Sequence, residues 1–189
     1  MSSISVVIPL YNEELNVREC HAELRGVLDE FERDYEIIYV NDGSSDETVT
    51  NLLEAVGEDP RVRIIDFRRN FGQTAAMAAG LEHSRGDIVA TLDGDLQNDP
   101  AEIPAMVAKL DEGYDLVAGW RADRQDRFLS RRMPSMIANW IISKSTRVNL
   151  HDYGCTLKVM TGDIARGIKL YGEMHRFIPA LADEVGARI

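Results

Sequence analysis

Asp93-Gly94-Asp95 places two carboxylates two residues apart, directly after the apolar run Ile88-Val-Ala-Thr-Leu92. Just past a buried strand, such a pair can share a hard divalent cation, with Gly94 letting the backbone bend between them. Gln97 can add a neutral oxygen. An all-oxygen donor set selects Mg²⁺ or Mn²⁺ over zinc and leaves coordination positions open for substrate phosphates. The competing reading is a pair of helix-capping acids. Asp99-Pro-Ala-Glu102 already supplies a cap, a proline at the first helical position and a glutamate at the third.

Three further loops carry polar residues after apolar runs. Pro9-Leu-Tyr-Asn-Glu13 follows the first, Asn41-Asp-Gly-Ser-Ser-Asp46 the second and Arg68-Arg-Asn-Phe-Gly72 the third. Asp42 can accept hydrogen bonds from a base N–H, Tyr11 can set its ring against the base, and Glu13 can accept from ribose hydroxyls. Each loop alone reads equally well as ordinary turn chemistry. The chain has neither G-x-G-x-x-G after its first strand nor GxxxxGK[ST]. It is therefore neither a typical dinucleotide binder nor a P-loop protein, and phosphate would be held by metal instead of a glycine-rich loop.

The elements that must position these loops alternate between strand and helix. Ile4–Leu10, Tyr35–Val40, Val62–Phe67, Asp87–Leu92 and Tyr114–Gly119 read as short, apolar, β-branched strands. Between the first two runs a helix with Val17, Cys20, Leu24, Val27, Leu28 and Phe31 on one face. Ser44-Ser-Asp-Glu47 reads as a capping box for the next helix. Phe71–Ser84 is a small-residue helix, and another follows Asp99. The repeated β-α-β pattern predicts an α/β, Rossmann-like, mostly parallel sheet with helices on both faces. Ligands of such sheets bind beyond the carboxyl ends of the strands, where all four polar loops fall.

The chain has 189 residues, with 21 Lys+Arg against 32 Asp+Glu and a net charge of −11. That length suits one domain with its own core, and the acidity argues against a general nucleic-acid binder. Two cysteines, Cys20 and Cys155, fit a reducing compartment and form no zinc pattern. The N-terminus lacks signal-peptide features, and no apolar run approaches the roughly 20 residues of a membrane span. The chain as given therefore reads as soluble and cytosolic. Residues 121–132 concentrate five arginines against Asp123 and Asp126. Met136, Ile137, Trp140 and Ile141 then form an apolar stripe within Met133–Asn149, either a helix packed on the sheet or a face for a membrane surface. The sequence ends at Gly186–Ile189 in what reads as a strand, which suggests a shortened chain.

In order and spacing, VVIPLYNEE, VNDGSSDET, RRNFGQTAAMAAGL, GDIVATLDGDLQNDPAEIP and DYGCTLK resemble the family 2 glycosyltransferases of GT-A fold. More narrowly, they resemble the polyprenyl-phosphate glycosyltransferases, from residue 4 to about 185. Gly94 stands where many of those proteins carry alanine or valine. The resemblance implies that Pro9, Tyr11, Glu13 and Asp42 frame the nucleotide, with Arg69 and Gly72 lining the donor side. It further implies that Asp93, Asp95 and Gln97 hold Mg²⁺ or Mn²⁺ on the donor diphosphate, and that Arg121, Arg131 and Ser135 meet a lipid phosphate. Residues 1–119 would then bind nucleotide sugar and metal, and 120–189 would form the acceptor side of one catalytic domain. The implied full-length protein is anchored by C-terminal membrane helices at the cytoplasmic membrane face and is a candidate homo-oligomer, whereas the fragment given is soluble.

The implied reaction moves a sugar from a nucleoside-diphosphate sugar, read as a UDP-sugar, to a polyprenyl phosphate of undecaprenyl type, with inversion. A phosphate monoester carries roughly −1.5 to −2 charge at pH 7 and needs little help from a base. It needs positive charge to approach a second anion, and arginine forks match phosphate oxygens in pairs. The alternative is that these arginines pair with Asp123 and Asp126 or form a solvated face. Asp152 is either a base, as acids near this point are in relatives with sugar acceptors, or a residue that shapes its loop. The alternatives to the whole reading are a saccharide acceptor, a nucleotidyltransferase, or a nucleotide-sugar-binding module without activity.

Overall fold

A computed structural model describes residues 2–120 and 154–189. Their strands are β1 (Ile4–Leu10), β2 (Tyr35–Asn41), β3 (Val62–Asp66), β4 (Ile88–Thr91), β5 (Leu116–Ala118) and β6 (Lys158–Thr161). They form one sheet in the order β3-β2-β1-β4-β6-β5. β1 pairs in parallel with β2 and β4, and β2 with β3, while β6 runs antiparallel between β4 and β5. This is the mostly parallel α/β sheet expected, with one strand the sequence reading left out. KVMT is four residues long, too short to show a strand period.

Every residue of β1 is buried because both faces of the sheet are covered. Side chains alternate between the faces with the period of two that a strand imposes. Val6, Ile8 and Leu10 pack with Leu24 and Leu28 of α1 (Val17–Glu30), Leu52 of α2 (Thr48–Val56) and Val107 of α4 (Ile103–Asp111). On the other face, Val7, Val40 and Val89 meet Ala76, Met77 and Leu81 of α3 (Gln73–His83). Ala165 of α5 (Gly162–Gly167) and Ile178 and Ala182 of α6 (Ile178–Glu184) complete that layer.

Two local expectations change. The Ser44–Glu47 capping box does not form. α2 starts after Glu47 with no side-chain cap, and the Asp46 carboxylate instead accepts from the Thr48 N–H at 3.1 Å and the Glu14 N–H at 3.2 Å. Asp46 thereby holds the loop after β1 as well as its own turn, a task a local capping box could not do. Gly186–Ile189 is not a strand. It docks on β5 through the Arg188 carbonyl, which accepts from the N–H groups of Asp115 and Leu116 at 2.8 and 3.2 Å. The Asp99 cap is present, accepting from the Ala101 N–H at 2.8 Å, and opens a 3₁₀ turn (Pro100–Glu102) ahead of α4.

α3 lies unusually close to the sheet. A Cβ on Gly80 would run into Val7 Cγ1 and stand 3.3 Å from Val40 Cγ2. Overpacking of this kind costs about 1–3 kcal/mol. Gly80→Ala is therefore expected to lower the urea unfolding midpoint by a corresponding amount despite alanine's better helix propensity. An unchanged or raised midpoint would show that α3 is free to lift.

Among the described residues two imidazoles are buried. His21 Nδ1 lies 3.0 Å from the hydroxyl of fully buried Tyr39, and its Nε2 has no hydrogen-bond partner. Burial, with help from Arg25 and against Asp59, holds His21 below its ordinary 6.5. Burial and Arg176 do the same for His175. Both are neutral in the folded state, so the unfolded chain takes up protons first as pH falls. Their contribution is complete above the ordinary value and is lost as pH drops through about 6.5 toward the depressed folded values. Stability is expected to fall between about pH 7 and 5.5, and the slope should flatten in a His21→Gln/His175→Gln variant. Equal slopes in urea titrations would refute this.

Candidate active site

The loops after β1, β2, β3 and β4 meet at the carboxyl edge of the sheet and enclose a cleft of about 340 Å³. Of the residues singled out from sequence, Pro9, Tyr11, Glu13, Asp42, Asp93 and Asp95 line it. Leu10, Asn70, Gln73 and Gly94 complete the wall. The wall thus carries four carboxylates, and no lysine or arginine among the described residues lines it.

Pro9 fits inside a central strand because β1 outruns β4. The Val7 carbonyl accepts from the Leu92 N–H at 3.1 Å, and Val7 is paired with Thr91, the last residue of β4. Two residues on, Pro9 faces the same side past that end, where no ladder hydrogen bond is required of it. The loop after β1 is stapled to the loop after β2. Asn12, in the left-handed region with φ 55°, donates its N–H to Ser44 Oγ at 3.0 Å, and its side-chain oxygen accepts from the Ser45 N–H at 2.9 Å. The Glu13 N–H donates to Thr48 Oγ1 at 2.7 Å, and the Glu13 carboxylate accepts from Asn16 Nδ2 at 2.7 Å. Tyr11 is half exposed on the rim.

Asp42 is 1% exposed. One carboxylate oxygen accepts from the Phe71 N–H at 2.7 Å and the other from the Gly72 N–H at 2.9 Å. Gly43 makes this possible. Its φ is +66°, and a Cβ there would stand 2.6 Å from the backbone at Arg69 and Asn70. Gly72, with φ +96°, then leads into α3. Arg69 does not line the cleft. It is exposed, with its guanidinium 4.4 Å from the centre of the Phe71 ring.

Asp93 and Asp95 share the cleft wall. Gln73 Nε2, on the first residue of α3, donates to Asp93 Oδ1 at 2.7 Å. Asp95 Oδ1 accepts from the Gln97 N–H at 3.0 Å across Leu96, whose φ is +62°. A left-handed leucine costs roughly 1–2 kcal/mol. That turn also sends Gln97 elsewhere: it is exposed and lines a separate groove beside Glu23 and Glu30 of α1. The predicted third oxygen ligand is thus not brought into the cleft. Gln97 serves Asp95 through its backbone, and the described residues hold no cluster of three or more His, Cys, Asp or Glu suited to a metal. Gly94 packs its Cα against Leu10, and a Cβ there would strike Leu10 Cδ2.

The acidity of the cleft reaches into α1. The buried Cys20 thiol is pushed up to about 12, first by burial and then by Glu23, Asp95, Glu13 and Asp93. Sequence reasoning passed over Asn70 and Gln73. Their only signal was an amide on each side of Phe71-Gly72, at the mouth of a helix otherwise built of small residues. Arg121, Arg131, Ser135, Asp152 and the stripe from Met133 to Ile141 lie outside the described residues.

A sheet of this order with carboxylates beyond β4 is the GT-A arrangement of glycosyltransferases. The family model "Glycosyl transferase family 2" matches residues 5–166, and the chain belongs to that family. The chain is 47% identical over 179 residues to dodecaprenyl-phosphate galacturonate synthase of Rhizobium johnstonii, covering 94% of this chain and 53% of that one. It is 44% identical over 181 residues to the undecaprenyl-phosphate 4-deoxy-4-formamido-L-arabinose transferase of Pseudomonas aeruginosa, covering 95% and 53%. The chain thus spans about half the length of these relatives. Among solved structures it resembles Mycobacterium tuberculosis glucosyl-3-phosphoglycerate synthase in complex with Mn²⁺ and UDP-glucose. That match has a TM-score of 0.74 at 21% identity, over 97% of this chain and 64% of the other.

The Asp42 cap can be tested directly. Asp42→Ala leaves two backbone N–H groups without their acceptor, at a cost of about 1–3 kcal/mol each where they stay buried. Asp42→Asn keeps one acceptor and is expected to lose less. Equal urea midpoints for wild type and Asp42→Ala would show that the loop after β3 holds itself.

Proposed function

We propose that this chain is the catalytic part of an inverting glycosyltransferase that moves a sugar from a UDP-sugar to a polyprenyl phosphate of undecaprenyl type. The observation that carries this reading is the charge of the cleft in a chain 47% identical to a polyprenyl-phosphate sugar transferase. Four carboxylates with no lining lysine or arginine among the described residues would repel a diphosphate unless a cation joined them. Asp93 and Asp95 fit that task, being oxygen donors on one wall with room left for phosphate oxygens. They would hold Mg²⁺ or Mn²⁺. When bound, such an ion offsets the charge that develops on the departing nucleoside diphosphate.

The protein's own groups supply the rest. Tyr11 sets its ring against the base. Asp42, whose two oxygens each retain a free lone-pair direction, accepts from the base, and Glu13 accepts from the ribose. Pro9 closes the floor, while Arg69 and Gly72 shape the loop that borders the donor. Gln73 and the Gln97 N–H hold the two carboxylates in place. Residues 120–189 form the acceptor side. Arg121 and Arg131, with Ser135, draw the lipid phosphate toward the donor, and that phosphate attacks without needing a base, leaving Asp152 to shape its loop. The stripe from Met133 to Ile141 lies on the membrane surface at the cytoplasmic face.

The test is calorimetric titration of UDP, GDP and CDP with and without Mn²⁺, beside an Asp95→Asn variant that keeps an acceptor for the Gln97 N–H. Mn²⁺-dependent UDP binding that weakens at least about tenfold in the variant is expected. Transfer from a UDP-sugar to a short polyprenyl phosphate would complete the assignment. Metal-independent binding, or no binding of any nucleotide, would overturn the donor site as described.

A further inference from the structure

The segment Met174–Phe177 forms a 3₁₀ turn that runs into α6, and its His175 is buried at 8% exposure. His175 Nδ1 lies 2.7 Å from Oγ1 of Thr74, which is 4% exposed and 101 residues away in sequence. Thr74 is the second residue of α3, and the first is Gln73, whose amide donates to Asp93. Apart from the packing of Ala76 and Met77 on the sheet, the other hydrogen bonds of the first turn of α3 among the described residues tie it from behind. Asp42 holds the Phe71 and Gly72 N–H groups, and the Gly72 carbonyl accepts from Ala75 and Ala76 at 2.9 and 3.2 Å. None of these bonds sets the rotation of the turn about its own axis, on which the direction of the Gln73 side chain depends. The Thr74–His175 bond does so, because it fixes the adjacent residue laterally against the 3₁₀ turn Met174–Phe177.

A buried polar pair is a costly way to fill space. Threonine and histidine removed from water lose several kcal/mol of solvation unless they bond to each other, and an apolar pair would avoid that loss. What the bond supplies is direction, since in a low-dielectric interior it is strong and tolerates little misalignment. Placement to within about 0.5 Å is what a functional carboxylate needs from its support.

We propose that His175 is a positioning residue for the cleft: its bond to Thr74 fixes the first turn of α3, and with it the Gln73 amide that orients Asp93. The inference rests on the reading of Asp93 as a donor-site carboxylate. It ties the segment after residue 154 to the cleft built by the first four strands. Arg176, Glu173 and Lys158 are the charged groups around the imidazole, and the role proposed needs no change in its protonation.

Two readouts on the same protein test it. In ¹⁵N-labelled protein, the Gln73 side-chain amide should be displaced from the free-amide position. It should return there in His175→Leu and stay put in His175→Asn, which keeps an amide where Nδ1 stood. In calorimetry with UDP and Mn²⁺, His175→Leu and Gln73→Ala should each weaken binding about tenfold, and the double variant should be no worse than either alone. If His175→Leu does not fold, Thr74→Val cuts the same bond at nearly constant volume and Thr74→Ser should restore it. A Gln73 amide that is unmoved in folded His175→Leu, or additive losses in the double variant, would overturn the inference. Wild-type protein that binds no UDP while its Gln73 amide still follows His175 would overturn the donor-site reading and leave the structural link supported.

Discussion

The buried carboxylate of Asp42 is the constraint on which the cleft depends. A charge taken this far from water costs several kcal/mol unless hydrogen bonds repay it. Here two backbone N–H groups do so, both from the loop that opens α3, and the positive end of the helix lies behind them. The bonds therefore act in both directions. They make a buried aspartate tolerable at the end of β2, and they fix where α3 begins relative to β2. Gly43 is the condition for this, since any larger residue would meet the backbone at Arg69 and Asn70. Asn70 and Gln73 reach the cleft because Asp42 has already fixed the chain between them.

The same economy recurs around the other carboxylates. Glu13 is held by Asn16, Asp93 by Gln73 and Asp95 by the Gln97 N–H. Each of these donors is neutral, so these bonds orient the carboxylates without cancelling their charge. Among the described residues, both non-glycine residues with positive φ, Asn12 and Leu96, fall in these loops. Backbone strain tends to persist where surrounding contacts over-determine it, and these loops are stapled to one another and to the core.

Much of this was legible in the sequence, and what was not has identifiable causes. The parallel strands announced themselves as short apolar runs, and the rule that ligands sit at their carboxyl ends gathered Tyr11, Glu13, Asp42, Asp93 and Asp95 into one place. β6 was missed because its pairing partners in β4 and β5 come from distant parts of the chain, and four residues carry no periodicity. Gln97 was expected beside the aspartates because D-x-D-x-Q reads as a continuous ligand string. Its displacement depends on a left-handed turn at Leu96, and leucine gives none of the warning that glycine or asparagine would. Asp46 was read as one member of a capping box because its second partner, Glu14, comes from a different loop.

The composition of α3 ties fold to site most directly. The helix has little amphipathic contrast, and its sheet-facing positions are Ala76, Met77, Gly80 and Leu81. Two of these four have almost no side chain, so the helix axis settles close to β1 and β2, near enough that Gly80 has no room for a methyl group beside Val7. A helix of ordinary leucines and valines would ride higher on the sheet. Its first turn would rise with it and carry the Gln73 amide away from Asp93, across a hydrogen bond that weakens within a few tenths of an ångström. The small residues in AAMAAGL are therefore not merely helix formers. They set the height at which a helix terminus can serve a carboxylate on the end of a strand.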